Sequence, residues 1–331
     1  MIEFSVIIPL YNRPQELKEL LSSLNEIESD GFEVIVVEDG SIIKSDHIIN
    51  EFSDSLNLKY ISQDNTGPGG ARNHGASLAN KDWLIFFDSD CIIPGAYFDS
   101  VSSALQQNDL DMFGGPDRAR SDFTAIQKAI NYSMTSFLTT GGIRGKKSSL
   151  ENFKPRSFNM GIKRTLFEKV GGFSNLRFGE DLDLTLRLEK NDARSMLIED
   201  AYVYHKRRTN FRQFYKQVFN SGIARIVLNS LHPGTLKMVH LLPFLFIAFH
   251  FVLVFVSMFF LPASVFTILL FPAIFFFDAL IKERNFKTAL LAPIASYTQL
   301  FGYGLGFFKA AVDHYIFRKE LKYAFRDSFY S

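Results

Sequence analysis

The chain has 331 residues, with 36 lysines and arginines set against 35 aspartates and glutamates. That length suits one large domain or two of ordinary size, and the even charge balance gives no ground for a nucleic-acid surface. Cys91 is the single cysteine, so no internal disulfide forms, and the start Met1-Ile2-Glu3-Phe4 lacks the basic and apolar regions of a cleavable signal peptide.

In chain order, Phe4 to Pro9 reads as a strand and Pro14 to Leu24 as a helix opened by Asn12, with Pro14 in its first turn. Further strands are expected over Glu33 to Glu38, Leu58 to Gln63 and Trp83 to Phe87, with a helical stretch from Gly70 to Asn80. Alternating helices and near-continuous apolar strands predict an α/β fold with a parallel sheet covered on both faces. Asp122 to Leu138 then reads as helical, Thr139 to Pro155 as a mobile loop rich in Gly, Lys and Ser, and Arg156 to Ile162 as another strand. Phe211 to Leu231 has an amphipathic helical pattern.

The chemistry gathers at the expected strand tips, where open α/β sheets place their ligands. The first strand ends in Pro9-Leu10-Tyr11-Asn12-Arg13, the second in Glu38-Asp39-Gly40-Ser41 and the fourth in Asp88-Ser89-Asp90. Carboxylates at i and i+2 leaving a strand can both reach one divalent cation and a diphosphate, and oxygen ligands suit Mg2+ or Mn2+. Each segment also has a plain structural reading, since D-x-D and D-G-S recur in solvated turns. Asn65-Thr66-Gly67-Pro68-Gly69-Gly70-Ala71-Arg72-Asn73 is either a flexible connection or a loop whose N–H groups and arginine attract a phosphorylated ligand. It matches neither G-x-G-x-x-G nor a P-loop, which counts against dinucleotide and ATP chemistry. Glu180 and Asp181 open a predicted helix, either as ordinary N-terminal charges or as a general base facing a cleft. His205 ends a strand-like run and precedes Lys206-Arg207-Arg208, a setting for metal and diphosphate contacts.

Val239 to Phe277 contains no Asp, Glu, Lys or Arg. As one helix it would run roughly 60 Å at about 1.5 Å per residue, twice a hydrocarbon core of about 30 Å. Two membrane spans turning at Leu261-Pro262-Ala263-Ser264 are therefore expected, with Lys282, Arg284 and Lys287 on the cytoplasmic side. Thr288 to Phe308 is open between a third span and an interfacial helix, and Arg318, Lys319, Lys322 and Arg326 favour a cytoplasmic C-terminus.

Five blocks in order, SVIIPLYNRP at 5 to 14, VIVVEDGS at 34 to 41, NTGPGGARNHG at 65 to 75, FFDSD at 86 to 90 and GGFSNLRFGEDLDLTLRL at 171 to 188, make residues 4 to 205 resemble the inverting glycosyltransferases of family 2. The resemblance implies the GT-A fold, Rossmann-like with a mostly parallel sheet, over residues 1–235. A transmembrane hairpin at 236–281 and a third hydrophobic helix with a basic tail at 282–331 would follow. It implies that Pro9, Tyr11, Asn12, Asp39, Arg72 and Asp88 bind a nucleotide-sugar, with uracil the expected base. Asp88, Asp90 and His205 would hold Mn2+ or Mg2+, Asp181 would be the base, and Glu180 would shape the acceptor site. The Q-x-x-R-W motif of processive synthases is absent: Gln217-Val218-Phe219-Asn220-Ser221 stands there, so transfer of one sugar is expected. The expected activity is transfer to a lipid-linked saccharide at the cytoplasmic face of the membrane during envelope polysaccharide or glycolipid assembly. The alternatives are a polyprenyl-phosphate glycosyltransferase and a non-catalytic, membrane-tethered nucleotide-sugar binding protein.

Overall fold

A computed structural model describes residues 2–28, 31–118, 120, 122–141, 154–259 and 261–320. Most of the predicted loop at 139–155 and the tail residues Lys322 and Arg326 lie outside that set. The elements fall into two units, one made of residues 1–118 and 153–206, the other of 119–152 and 207–331.

The first unit runs β1 (Phe4–Leu10), α1 (Pro14–Asn25), β2 (Phe32–Asp39), α2 (Asp46–Phe52), β3 (Leu58–Gln63), α3 (Pro68–Ser77), β4 (Trp83–Phe87), β5 (Cys91–Ile92), α4 (Tyr97–Gln107), β6 (Met112–Gly114) and β7 (Asp117–Arg118). The second unit intervenes with α5 (Ala125–Thr135) and α6 (Phe137–Thr140). The first resumes with β8 (Asn159–Lys163), α7 (Arg164–Lys169), α8 (Glu180–Glu189), β9 (Ser195–Leu197) and β10 (Val203–His205).

Seven strands form one sheet in the order β3-β2-β1-β4-β8-β6-β9. Strands β1 to β4 pair in parallel, while β8 runs antiparallel to both β4 and β6. The period-2 geometry of β1 divides its side chains between two cores. Val6, Ile8 and Leu10 join Leu17, Leu20, Leu21 and Leu24 of α1. Ile7 faces Ala71 and Ala76 of α3 with Leu184 and Leu188 of α8. Helix α1 forms because its leucines recur on one face and Pro14 occupies the first turn, where a missing N–H costs nothing. Gly161 lets β8 pass the ring of Phe113, which a Cβ there would meet at 2.0 Å. A small second sheet, β5-β10-β7, lies beyond the tip of β4 and carries His205.

The second unit continues with α9 (Phe211–Leu231), α10 (Leu242–Ser257), α11 (Leu261–Glu283) and α12 (Phe286–Ala311). Helices α9 and α12 approach backbone to backbone. A Cβ on Gly222 would meet the Tyr303 carbonyl oxygen at 2.1 Å, and one on Gly306 the Phe219 oxygen at 2.0 Å. Two polar contacts lie within this unit: Tyr132 donates to Asp278 at 2.6 Å, and His250 lies 3.0 Å from the Tyr297 hydroxyl.

The expectation of membrane spans is corrected here. Among the described residues no helix is long and apolar enough to cross a membrane. The uncharged run divides into α10, whose 16 residues reach only about 24 Å at 1.5 Å per residue, and α11, which carries Pro272 inside and ends through Asp278, Lys282 and Glu283. The third candidate is α12, whose buried Ala289, Ala292, Ser296, Gly302 and Gly306 belong to the core of the second unit.

Candidate active site

Parallel pairing of β1, β2 and β4 brings their C-terminal ends to one edge of the sheet. Tyr11 is exposed just beyond β1, whereas Pro9 lies within it, opposite Val37. Asn12 takes a left-handed turn at φ 53°, and its side-chain oxygen accepts the N–H groups of Ile42 and Ile43 at 2.7 and 3.1 Å. It therefore ties the β1 tip to the β2 tip. Asp39 is spent on the glycine-dense loop: Oδ1 accepts from Gln63 and from the Thr66 N–H, both at 2.8 Å, and Oδ2 from the Gly67 N–H at 2.8 Å. That carboxylate holds the loop against the sheet at the start of α3.

The loop is locked at its other end too. Asn73 donates to the Phe173 carbonyl and accepts the Phe173 N–H, each at 2.8 Å. Arg187 of α8 donates to the carbonyls of Val170 and Gly172, each at 2.6 Å, fixing the turn in which both Gly171 and Gly172 have positive φ. The NTGPGGARN and GGFSN blocks, a hundred residues apart, thus form one scaffold beneath α8.

Within that scaffold the acids converge. Arg72, only 3% exposed, bridges Asp88 at 2.6 Å and Glu180 at 2.9 Å. The sequence led to an arginine lying near base or diphosphate; the fold turns it inward, between two carboxylates. Asp181 follows Glu180 in the first turn of α8. Its Oδ1 accepts the Leu182 N–H at 2.8 Å and its Oδ2 accepts Arg156 Nε at 2.6 Å. Burial pushes the Asp181 carboxyl up, but the Arg156 charge and hydrogen bond, with the Leu182 N–H, hold it below the usual carboxylate range. Glu180 moves the other way, raised to about 7 by burial and by the Asp181 charge. Two adjacent acids are thereby separated, one ionised and one able to keep its proton near neutrality.

Across Arg72 from this pair, His205 Nε2 lies 3.1 Å from Asp90 Oδ1 and 4.0 Å from Asp88 Oδ2. The imidazole stacks on Phe158 at 4.9 Å, and among the described residues its buried Nδ1 has no hydrogen-bond partner. Among the described residues the ligand atoms within 4.8 Å of one another are those of Asp90, Cys91 and His205, while Asp88 stands at the edge and is also held by Arg72. The carboxylates and the imidazole nitrogen are of the type that suits a divalent cation such as Mn2+ or Mg2+. Cys91 also lies close, but burial and then the charges of Asp90 and Asp88 push its thiol well up, and it donates to the Phe158 carbonyl. A protonated thiol is a poor ligand for these hard ions. Arg13, which the sequence reading passed over, pairs with the second oxygen of Asp90 at 2.5 Å.

A mostly parallel sheet with acids gathered at its strand tips is consistent with the GT-A fold of sugar transferases. The model of glycosyl transferase family 2 matches residues 5–171, and the chain belongs to that family. An uncharacterized glycosyltransferase of Haemophilus influenzae is 32% identical over 188 residues, covering 56% of this chain and 61% of that one. The poly(ribitol-phosphate) beta-N-acetylglucosaminyltransferase TarS of Staphylococcus aureus is 34% identical over 117 residues, covering 34% and 20%. The chain thus spans less than two thirds of the length of these relatives. Among solved structures, a mannosyltransferase from Pyrobaculum calidifontis in complex with GDP-Man and Mn2+ superposes with a TM-score of 0.65 at 14% identity, covering 89% and 86%, a likeness of fold.

Proposed function

We propose that this enzyme moves one sugar from a nucleotide-sugar to a hydroxyl of a lipid-linked saccharide or related envelope polymer, with inversion at the anomeric carbon. The observation that carries the reading is Arg72, which joins the Asp88, Asp90 and His205 cluster to the Glu180–Asp181 pair within one connected network. Donor and acceptor chemistry can then share one cleft. Asp181 takes the proton of the acceptor hydroxyl, its oxygen bonds to the anomeric carbon, and the bond from that carbon to the nucleoside diphosphate breaks. Mn2+ or Mg2+ held by Asp88, Asp90 and His205 would supply the positive charge that offsets the leaving diphosphate. Asp39 and Asn12 shape the donor side by fixing the loop and the strand tips, with Pro9 and Tyr11 beside them. Glu180 faces the acceptor side. The name of TarS, a poly(ribitol-phosphate) beta-N-acetylglucosaminyltransferase, supports a polymeric acceptor and an amino sugar as the group transferred.

The enzyme works at a membrane surface in this reading, on the cytoplasmic face. Phe249, Phe251, Val252, Val254 and Phe255 of α10 are all exposed, and at about 100° per residue they fan over more than half the helix circumference. A protein groove covers a narrower stripe, whereas lipid covers any side. Lys282, Arg284 and Lys287, beside the end of α11, suit anionic headgroups.

The test is a panel of nucleotide-sugars with Mn2+ and lipid-linked or polymeric acceptors, read as labelled product in the lipid or polymer fraction. Label reaching only soluble sugars would remove the lipid-linked acceptor from the account.

A further inference from the structure

The segment entering β8 is stitched along α8 at three successive residues. Lys154 Nζ clasps both carboxylate oxygens of Glu189 at 2.7 and 2.6 Å, the Pro155 carbonyl accepts from the Thr185 hydroxyl at 3.3 Å, and Arg156 reaches Asp181. The Arg156 carbonyl also accepts the Asn159 N–H at 2.9 Å, anchoring the turn to β8. Arg156 is therefore held beside Asp181 by its backbone as well as by its charge.

Its guanidinium is only partly used. Nε alone bonds to Asp181, and among the described residues the two Nη groups make no hydrogen bond or ion pair. The side chain is 39% exposed where that of Asp181 is 8% exposed, so Arg156 reaches solvent more than the base does. Arg72 differs on every count, being buried and committed to two carboxylates. A planar fork with Nε on one carboxylate and both Nη groups without a hydrogen bond among the described residues, near the charges of Glu180 and Asp117, can take a second oxyanion without leaving the first.

We infer that Arg156 selects an acceptor carrying a phosphate next to the hydroxyl that receives the sugar. This deepens the transferase reading and rests on it. The Nη groups bind the phosphate while Nε stays on Asp181, so one rigid group sets the distance between the acceptor anion and the base. The phosphate is a spectator: no bond to it forms or breaks, and the reacting oxygen is the neighbouring hydroxyl. Arg156 is accordingly a positioning and specificity residue.

The test compares an oligo(glycerol phosphate) with a phosphate-free polyol of equal length as acceptors for the purified full chain. The wild-type protein is expected to favour the phosphate-bearing acceptor by roughly ten- to a hundredfold in kcat/KM, the range of a charge-assisted hydrogen-bond pair. Arg156→Gln should bring that ratio close to one, and Arg156→Lys, which keeps the charge without the fork, should restore part of it. Melting curves of both variants establish that they fold. Equal use of the two acceptors by the wild type overturns the assignment. So does Arg156→Gln slowing both acceptors alike, since the arginine would then serve the base alone. Transfer to neutral acceptors leaves the transferase reading standing while this one falls; no turnover of any nucleotide-sugar, with acceptor or with water, removes both.

Discussion

Glu180 and Asp181 are neighbours in sequence with opposite surroundings, and that difference is measurable. The Glu180 carboxyl lies at about 7 against an ordinary 4.5, raised by burial and then by the Asp181 charge. The folded protein holds this proton more tightly than the unfolded chain does, so its contribution to stability is full below about 4.5 and is lost as pH rises through about 7. Glu180→Gln removes the ionisable group, and its melting temperature should exceed that of the wild type by more at pH 8 than at pH 5. An equal difference at the two pH values would contradict the assignment. At the metal cluster, His205→Ala should weaken Mn2+ binding at least tenfold by calorimetry, on the scale of losing a group that supports a metal site. Unchanged affinity would remove His205 from the ligand set. Much of this was legible in the residues, because Asp88, Asp90, Asp181 and His205 stand at the ends of recognisable elements. Arg156 was not. Its contact with Asp181 spans 25 positions and is set by how β8 meets α8, which no local pattern records.

The first four strands and α9 are legible as apolar-rich runs, whereas the bounds of α10 to α12 and the short strands are not. Strands β1 to β4, near-continuous apolar runs, and helix α9 stand at the spans expected from the sequence. The antiparallel insertion of β8 between β4 and β6 is a pairing choice, invisible in a five-residue strand that would suit either direction. Strands β5 and β7 have two residues each, too few for a period, yet with β10 they position His205 beside Asp90. The β8 site also makes a sharp stability test. Gly161→Ala drives a methyl into the Phe113 ring, and overpacking of this kind costs about 1–3 kcal/mol. Denaturant unfolding should show that loss; a stability within about 0.5 kcal/mol of the wild type would mean that the β6–β8 register differs.

At the scale of the whole molecule, the uncharged run Val239 to Phe277 showed an apolar surface but not how that surface is divided. Helix ends and packing partners set the division. The short α10 and the glycine-packed α12 lie in the helical second unit, and among the described residues no helix is long and apolar enough to cross a membrane. The exposed aromatic fan of α10 instead predicts interfacial binding. The protein should sediment with anionic vesicles at low salt, and Phe251→Ser with Phe255→Ser should reduce the bound fraction severalfold while leaving the melting temperature nearly unchanged. Equal binding by the double variant would mean that this face does not meet lipid.

Acceptor-dependent release of nucleoside diphosphate, measured for the wild type and Asp181→Asn across nucleotide-sugars with Mn2+, tests the transferase account most directly. The account predicts release matched by glycosylated product in the wild type. It predicts a fall of about 10²- to 10⁴-fold in Asp181→Asn, the range of lost general-base catalysis, with donor binding retained by calorimetry. Turnover of Asp181→Asn at the wild-type rate would contradict it, because the acceptor would then be an anion, such as a polyprenyl phosphate, that needs no base.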